Sequence, residues 1–204
     1  MTRKLVSFLC CFLPVSAVAA VIDSGSGVNY DEFGLVLSGD VFVGVATPGT
    51  PDPNNLYITT GTTSSFSMQS LGDIDVGGEL QISSGRGLTI VANKAANPTA
   101  IIDVGFGGAI ENFGTLKIGY SGSGSLASVI GMPSEGVRNF SAGAVDNKLG
   151  GTLIVNVSND ITINGLVNNG AALLIGNDLV SADTVQNLNA AATMDIVLAG
   201  DMDI

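Results

Sequence analysis

Gly108-Ala109-Ile110-Glu111-Asn112-Phe113-Gly114-Thr115-Leu116-Lys117-Ile118 is the stretch on which the reading of this chain turns. Leu116 and Ile118 fall on one face and Thr115 and Lys117 on the other, the period-two alternation of a half-buried strand. The pattern returns as Gly143-Ala144-Val145-Asp146-Asn147 and, after a two-residue insertion, Gly151-Thr152-Leu153-Ile154-Val155. A third copy, Gly165-Leu166-Val167-Asn168-Asn169-Gly170-Ala171-Ala172-Leu173-Leu174-Ile175, aligns with the first without gaps. Gly78-Glu79-Leu80-Gln81-Ile82 and Ala192-Thr193-Met194-Asp195-Ile196 are fainter echoes. Self-similarity of this kind is the signature of stacked structural repeats.

In this alignment the anchoring apolar residues are Leu80, Leu116, Leu153, Leu173 and Met194, spaced by 36, 37, 20 and 21 residues. The shorter spacings suit one coil of a β-solenoid, and the longer ones a coil with an inserted loop. Asn93 to Thr99 and the Gly/Ser run Tyr120 to Ser128 are the expected insertions, the latter as a flexible loop. A second theme places aspartate before a strand in Gly39-Asp40-Val41, Gly72-Asp73-Ile74, Asn159-Asp160-Ile161 and Gly200-Asp201-Met202.

Other short alternating runs fill the chain, among them Leu35-Val36-Leu37, Val41-Phe42-Val43, Ile74-Asp75-Val76 and Leu88-Thr89-Ile90, nearly all flanked by Gly, Asn, Asp or Ser. No stretch after Val21 holds a helical apolar stripe. The expected fold is therefore all-β, a right-handed parallel β-helix with a short N-terminal cap, and a β-sandwich is the runner-up. In a stacked repeat each coil buries its inward side chains only against its neighbours. Asn112, Asn147 and Asn169 are expected to form an inward ladder whose amides satisfy turn backbone groups.

Composition limits the chemistry. The 204 residues are 46% hydrophobic but only 12% charged, against about a quarter in an average domain. No histidine is present, so a Ser-His-Asp triad or a His-ligated metal site cannot be built. Seven Lys and Arg against 18 Asp and Glu give a net charge of −11, which argues against nucleic acid as a partner.

Residues 1–20 read as a signal peptide. Arg3 and Lys4 precede an apolar run from Leu5 to Val18, and Ala17-Val18-Ala19-Ala20 supplies the small residues of a cleavage site. The run is about 14 residues, short of the roughly 20 that a membrane span needs. Cleavage removes both cysteines, Cys10 and Cys11, and leaves a mature net charge of −13 with no membrane span expected. Residues 21–55, ending in the Pro48 to Pro53 loop, read as the N-terminal cap, and 56–204 as the repeats. The final Gly200 to Ile204 stops in mid-theme, so the repeats are expected to continue beyond it.

At Gly107-Gly108-Ala109-Ile110 followed by Glu111-Asn112-Phe113-Gly114-Thr115-Leu116-Lys117-Ile118, the chain resembles the repeats of autotransporter and chlamydial polymorphic-membrane-protein passengers. Those repeats carry a GGAI-type turn and then an Asn-Gly-Thr-Leu-x-Ile strand, and the match covers roughly residues 72 to 204. The resemblance implies an exported β-helical passenger on the surface of a Gram-negative cell or outside it, serving adhesion or display. A protein not translocated further would remain in the periplasm. The implied partners are host-cell, matrix or glycan surfaces; oligomeric state is left open.

Candidate chemistry is sparse. Asp73 with Asp75, and Asp201 with Asp203, put paired carboxylates on one strand face, and calcium is the metal they could attract. The Gly-Gly-x-Gly-x-Asp nonapeptide of calcium-binding β-rolls is absent, so these residues read as solubilising charge, with no cofactor expected. A polysaccharide-cleaving solenoid would need basic or aromatic residues near such an acid pair, and Arg86, Lys94, Lys117, Arg138 and Lys148 are scattered in sequence. Ser121-Gly122-Ser123-Gly124-Ser125 lacks the Lys-Ser/Thr of a phosphate loop. No catalytic, cofactor or metal residues are expected, and the chain is read as non-enzymatic. A polysaccharide-acting enzyme and an inert spacer are the alternatives.

Overall fold

The computed structural model describes residues 20–23, 28–29, 33–59, 65–180 and 184–203. Residues 1–19 of the expected signal peptide lie outside the described residues, as does Ile204. The chain begins with β1 (Ala20–Asp23), β2 (Val28–Asn29), β3 (Leu35–Leu37), β4 (Val41–Val43) and β5 (Leu56–Thr59). Next come β6 (Ser65–Ser70), β7 (Ile74–Val76), β8 (Leu80–Ile82), β9 (Gly87–Ala92), β10 (Ile102–Asn112) and β11 (Thr115–Ile118). A single helical turn, α1 (Leu126–Val129), precedes β12 (Val137–Asn147) and β13 (Thr152–Asn156). The remainder is β14 (Asp160–Ile163), β15 (Gly165–Asn168), β16 (Ala171–Gly176), β17 (Asp178–Val180), β18 (Thr184–Asn187), β19 (Thr193–Leu198) and β20 (Met202–Asp203).

These strands form two sheets, and every pairing among the described residues is parallel. A β-sandwich is built from antiparallel ladders, so that alternative is set aside. The smaller sheet stacks β2, β6, β9, β11, β13, β16 and β19 in chain order. The larger sheet has two halves joined through its long strands. One edge of β10 carries β7 and β8 end to end, its other edge carries β12, and β12 in turn carries β14 and β15. The stretch read as a cap contributes β3 and β4 to these ladders, pairing with β7 and β8, while β5 lies between β1 and β4.

In the long strands the halves meet at glycine. Gly107-Gly108 of β10 lies opposite the single Gly143 of β12, where the register shifts between Phe106 and Ala109. A Cβ on Gly108 would come within 2.6 Å of the Gly78 carbonyl oxygen, and one on Gly143 within 2.6 Å of the Gly107 oxygen. Backbones at this corner are too close for any side chain. That is the physical content of the Gly-Gly-Ala-Ile pattern.

Inward residues stack in columns. Leu80, Ile110, Val145 and Leu166 form one, Ile74, Val104, Phe140 and Ile161 another, all buried. Each fully buried aliphatic contributes about 1.5–3 kcal/mol relative to an exposed one. The column on the smaller sheet runs Phe66, Leu88, Leu116, Leu153, Ala172, Met194.

That column corrects the sequence alignment in two places. Leu80 belongs to the larger sheet, and Leu88 is the partner of Leu116. In the third copy the inward residues are Ala172 and Leu174, so Leu173 points to the other face. The gapless alignment was one residue out of register, which in a strand exchanges the two faces.

Leu173 is nonetheless fully buried, because the segment after β11 covers it. Tyr120 and Val129 pack with Ile154 and Leu173, flanked by Leu126 and Ile175, as a second apolar cluster outside the sheet. The Gly/Ser run expected as a flexible loop is therefore one arm of a packed cover, although Ser121, Ser123, Gly124 and Ser125 are themselves exposed. Along the outer face the paired residues change from Ser67, Thr89 and Lys117 to Ile154 and Leu173 where the cover begins. No described helix is long and apolar enough to cross a membrane.

Candidate functional site

Several polar side chains singled out in the sequence are spent on the chain's own backbone. Two aspartates of the theme, Asp73 and Asp40, cap backbone N–H groups of neighbouring repeats, and Asp103, Asn139 and Asp178 outside it do the same. Asp73 Oδ1 accepts from the Asp103 N–H at 2.9 Å, and Asp103 Oδ1 accepts from the Asn139 N–H at 3.2 Å. Asn139 Oδ1 then accepts from the Asp160 N–H, and Asp178 Oδ1 from the Asp201 N–H. Asp40 Oδ1 does the same for the Glu79 N–H at another corner. Asp75 and Asp203 lie exposed on the outer faces of β7 and β20. Among the described residues no group of three or more Asp, Glu, Cys or His is placed to hold a metal ion.

Asparagine forms the buried polar column, but with one member changed. Asn112 Nδ2 donates to Asn147 Oδ1 at 2.8 Å, Asn147 Nδ2 to Asn168 Oδ1 at 2.7 Å, and Asn168 Nδ2 to Asn187 Oδ1 at 2.9 Å. Asn168, not Asn169, occupies the inward position, for the same one-residue reason. The spare amide protons reach carbonyls of the following strands, Thr152 O from Asn112 and Ala171 O from Asn147. A buried amide is tolerable only when satisfied in this way.

Two of the basic residues, Arg138 and Lys148, pair with carboxylates. Arg138 makes a two-pronged ion pair with Asp103, Nη2 to Oδ2 at 2.5 Å and Nε to Oδ1 at 3.0 Å. The hydrogen bond from Arg138 is the main cause that holds the Asp103 carboxyl below the usual carboxylate value, and burial opposes it. Lys148 bonds Asp146 and lies 3.5 Å from Glu111, and the Asp146 bond raises its ammonium above the usual lysine value. These two cations are neutralised where they sit.

The register sets Thr89 beside Lys117 and Gly87 beside Thr115, so Arg86 and Lys117 line one cleft across adjacent strands of the smaller sheet. The cleft has a volume of about 350 Å³ and also takes in Ser65, Thr89, Thr115 and the exposed ring of Phe113. Its described lining contains no carboxylate. The Arg86 stem lies where a Cβ on Gly44 would be, and Gly44 has φ +76°, so glycine there makes the room. Lys117 Nζ donates to the Gly122 carbonyl oxygen and stands 5.6 Å from the Tyr120 ring centre, so the cover fixes this cation at the cleft edge.

The cleft's described lining residues include no pair of carboxylates of the kind that cleaves glycosides. Sequence reasoning left Arg86 and Lys117 scattered. Aligning Leu88 with Leu116 would have set Arg86 against Gly114 and Thr89 against Lys117, but Leu80 fitted the motif better and hid the match. No family model, curated protein or solved structure matches this chain.

Proposed function

We propose that the chain is a right-handed parallel β-helix that is exported and acts outside the cell, or in the periplasm if not translocated further, as a non-catalytic adhesive or display passenger. The observation that carries this reading is a continuous parallel ladder of short strands stacked in two sheets and pinned by a column of hydrogen-bonded asparagines. Successive strands visit the two halves of the larger sheet and then the smaller sheet, in the same cyclic order, from β7 to β17. Parallel crossovers of this kind are overwhelmingly right-handed. The amino-terminal Arg3-Lys4, the apolar run and the Ala-rich site support export.

Two measurements test the reading together. Mass spectrometry of the native secreted protein should show an N-terminus at Ala20 or Val21, and the labelled protein should bind cells or matrix saturably. An uncleaved N-terminus would overturn export. Absence of saturable binding would leave a spacer, and release of sugar from polysaccharide would make the protein an enzyme.

A further inference from the structure

We infer that the cavity between the cover and the ends of β13 and β16 is a binding site for a small amphipathic carboxylate that carries an N–H donor, the chemistry of an N-acylated apolar amino acid. The cavity has a volume of about 440 Å³ and lies between the Met132–Ser134 end of the cover, the turn after β9 and those strand ends. Small-ligand sites span roughly 300–1,000 Å³.

A buried acceptor without a donor is the first reason. Asn156, on the outer face of β13, is 1% exposed and lines the cavity. Its Nδ2 donates to the Met132 and Pro133 carbonyl oxygens at 3.2 and 3.4 Å, which pins the cover and spends both amide protons. Its Oδ1 accepts no hydrogen bond among the described residues. A buried acceptor calls for a partner, and the cavity is the space from which an N–H can reach this one.

Charge is the second reason. Lys94 folds across Gly136, where a Cβ would come within 2.6 Å of Lys94 Cε, and both residues line the cavity. Among the described residues Lys94 has no ion pair or hydrogen bond, and the lining holds no Asp or Glu. Glu135, the acid nearest in sequence, accepts from the Ser121 N–H at 2.9 Å instead. In a chain with 18 acidic and 7 basic residues, an unopposed ammonium at a cleft is where an anion gains most.

The apolar wall is the third reason. Ile101, Met132 and Ile175 line the same cavity, and Ile101 and Met132 are 58% and 50% exposed. An inorganic anion would leave this wall bare and be repelled by the Asn156 oxygen. A simple fatty acid would cover the wall and pair with Lys94, but it brings no donor to Oδ1. An N-acyl amino acid supplies apolar body, N–H and carboxylate together. The site is also preformed, because β13, β16 and the cover pack on one another around Ile154 and Leu173.

The experiment titrates the full secreted protein with N-octanoylglycine and with the peptide acetyl-Ala-Leu-Leu, by calorimetry and by NMR of the Met132 and Ile101 methyl groups. The two probes separate an acyl chain from apolar side chains as the body of the ligand. Saturable binding of at least one, with both methyl groups shifting, is expected. Removing the charge as the methyl ester, or the N–H by N-methylation, should weaken the bound probe at least about tenfold. Lys94→Met should lose a similar factor. Met132→Glu, at a half-exposed position, should do the same by setting a carboxylate at the mouth, whether or not the Lys94 variant folds well. Lys148→Gln, whose cation is already paired with Asp146, should bind as the parent does.

Undiminished binding by a folded Lys94→Met or Met132→Glu protein would overturn the site, as would equal binding of the ester or the N-methyl analogue. Binding of neither probe would overturn it too, and would leave water as the partner of the Asn156 oxygen. The adhesive role proposed above stands or falls separately, on saturable binding to cells or matrix.

Discussion

Asn147 Nδ2 donates to Asn168 Oδ1 across 2.7 Å, and both side chains are fully buried. The bond joins two repeats 21 residues apart in sequence. It makes a polar column the pin between successive turns of a largely apolar interior. Burying an amide costs about 1–3 kcal/mol when unpaired, so the column is worth having only if every member is present.

Asn147→Ala should therefore be costly. It strips a partner from Asn112 and from Asn168 and opens a small cavity, for an expected loss of about 2–4 kcal/mol. Asn169→Ala, one residue along from the ladder, should change stability by no more than about 0.5 kcal/mol. Urea unfolding of the two variants checks both, and equal losses would return Asn169 to the ladder.

The glycine corner yields a second contrast. A methyl at Gly108 meets the Gly78 oxygen at 2.6 Å and the Gly78 carbonyl carbon at 2.7 Å, both backbone atoms that cannot turn aside. Gly108→Ala should cost about 1–3 kcal/mol by forcing neighbouring repeats apart. Gly165, at the start of β15, has nothing within 4 Å of the same methyl. Gly165→Ala should be neutral or raise stability by up to about 1 kcal/mol through the unfolded state. Thermal melts of the pair distinguish steric contact from a general requirement for glycine.

Asp103 predicts the direction of an acid effect. Its folded carboxyl is held below the usual value, first by the hydrogen bond from Arg138. A depressed folded pKa contributes stability that is present above the unfolded value, about 3.9, and lost as pH falls through the folded value. The stability advantage of the parent over Asp103→Asn should therefore be full at neutral pH and shrink below about pH 4. Carbon-detected NMR titration of Asp103 in Arg138→Gln should show its pKa moving up. An unmoved value would assign the shift to the Asn139 contacts instead.

The parallel ladder was legible in the sequence wherever one face of a strand meets water. Ala109 pairs with Ala144, Asn112 with Asn147 and Leu116 with Leu153, as the repeated motif implied. The slip in the third copy has a physical cause. Ala171-Ala172-Leu173-Leu174-Ile175 is apolar on both faces, since the cover buries the outer one, and alternation no longer marks which residue points in. The capping role of Asp103, Asn139 and Asp178 was hidden because asparagine and aspartate serve alike, while a motif search follows identity. The cleft lined by Arg86 and Lys117 was harder to see. Those two residues lie 31 residues apart and meet only through the Leu88–Leu116 register.

The cover over the smaller sheet gives the last prediction. Val129 is fully buried against Ile154 and Leu173, yet its segment adds no strand to either sheet. Val129→Asp would place a charge in that apolar seam with no cation given to it, so the cover should open while the ladder persists. Hydrogen exchange should then show amides around 121–134 losing protection, with β9 and β10 unchanged. Apolar dye binding should rise as Ile154 and Leu173 are uncovered. Opening also removes the Gly122 and Tyr120 contacts that hold Lys117. Simultaneous loss of protection across β9 to β12 would instead make the cover part of the cooperative core.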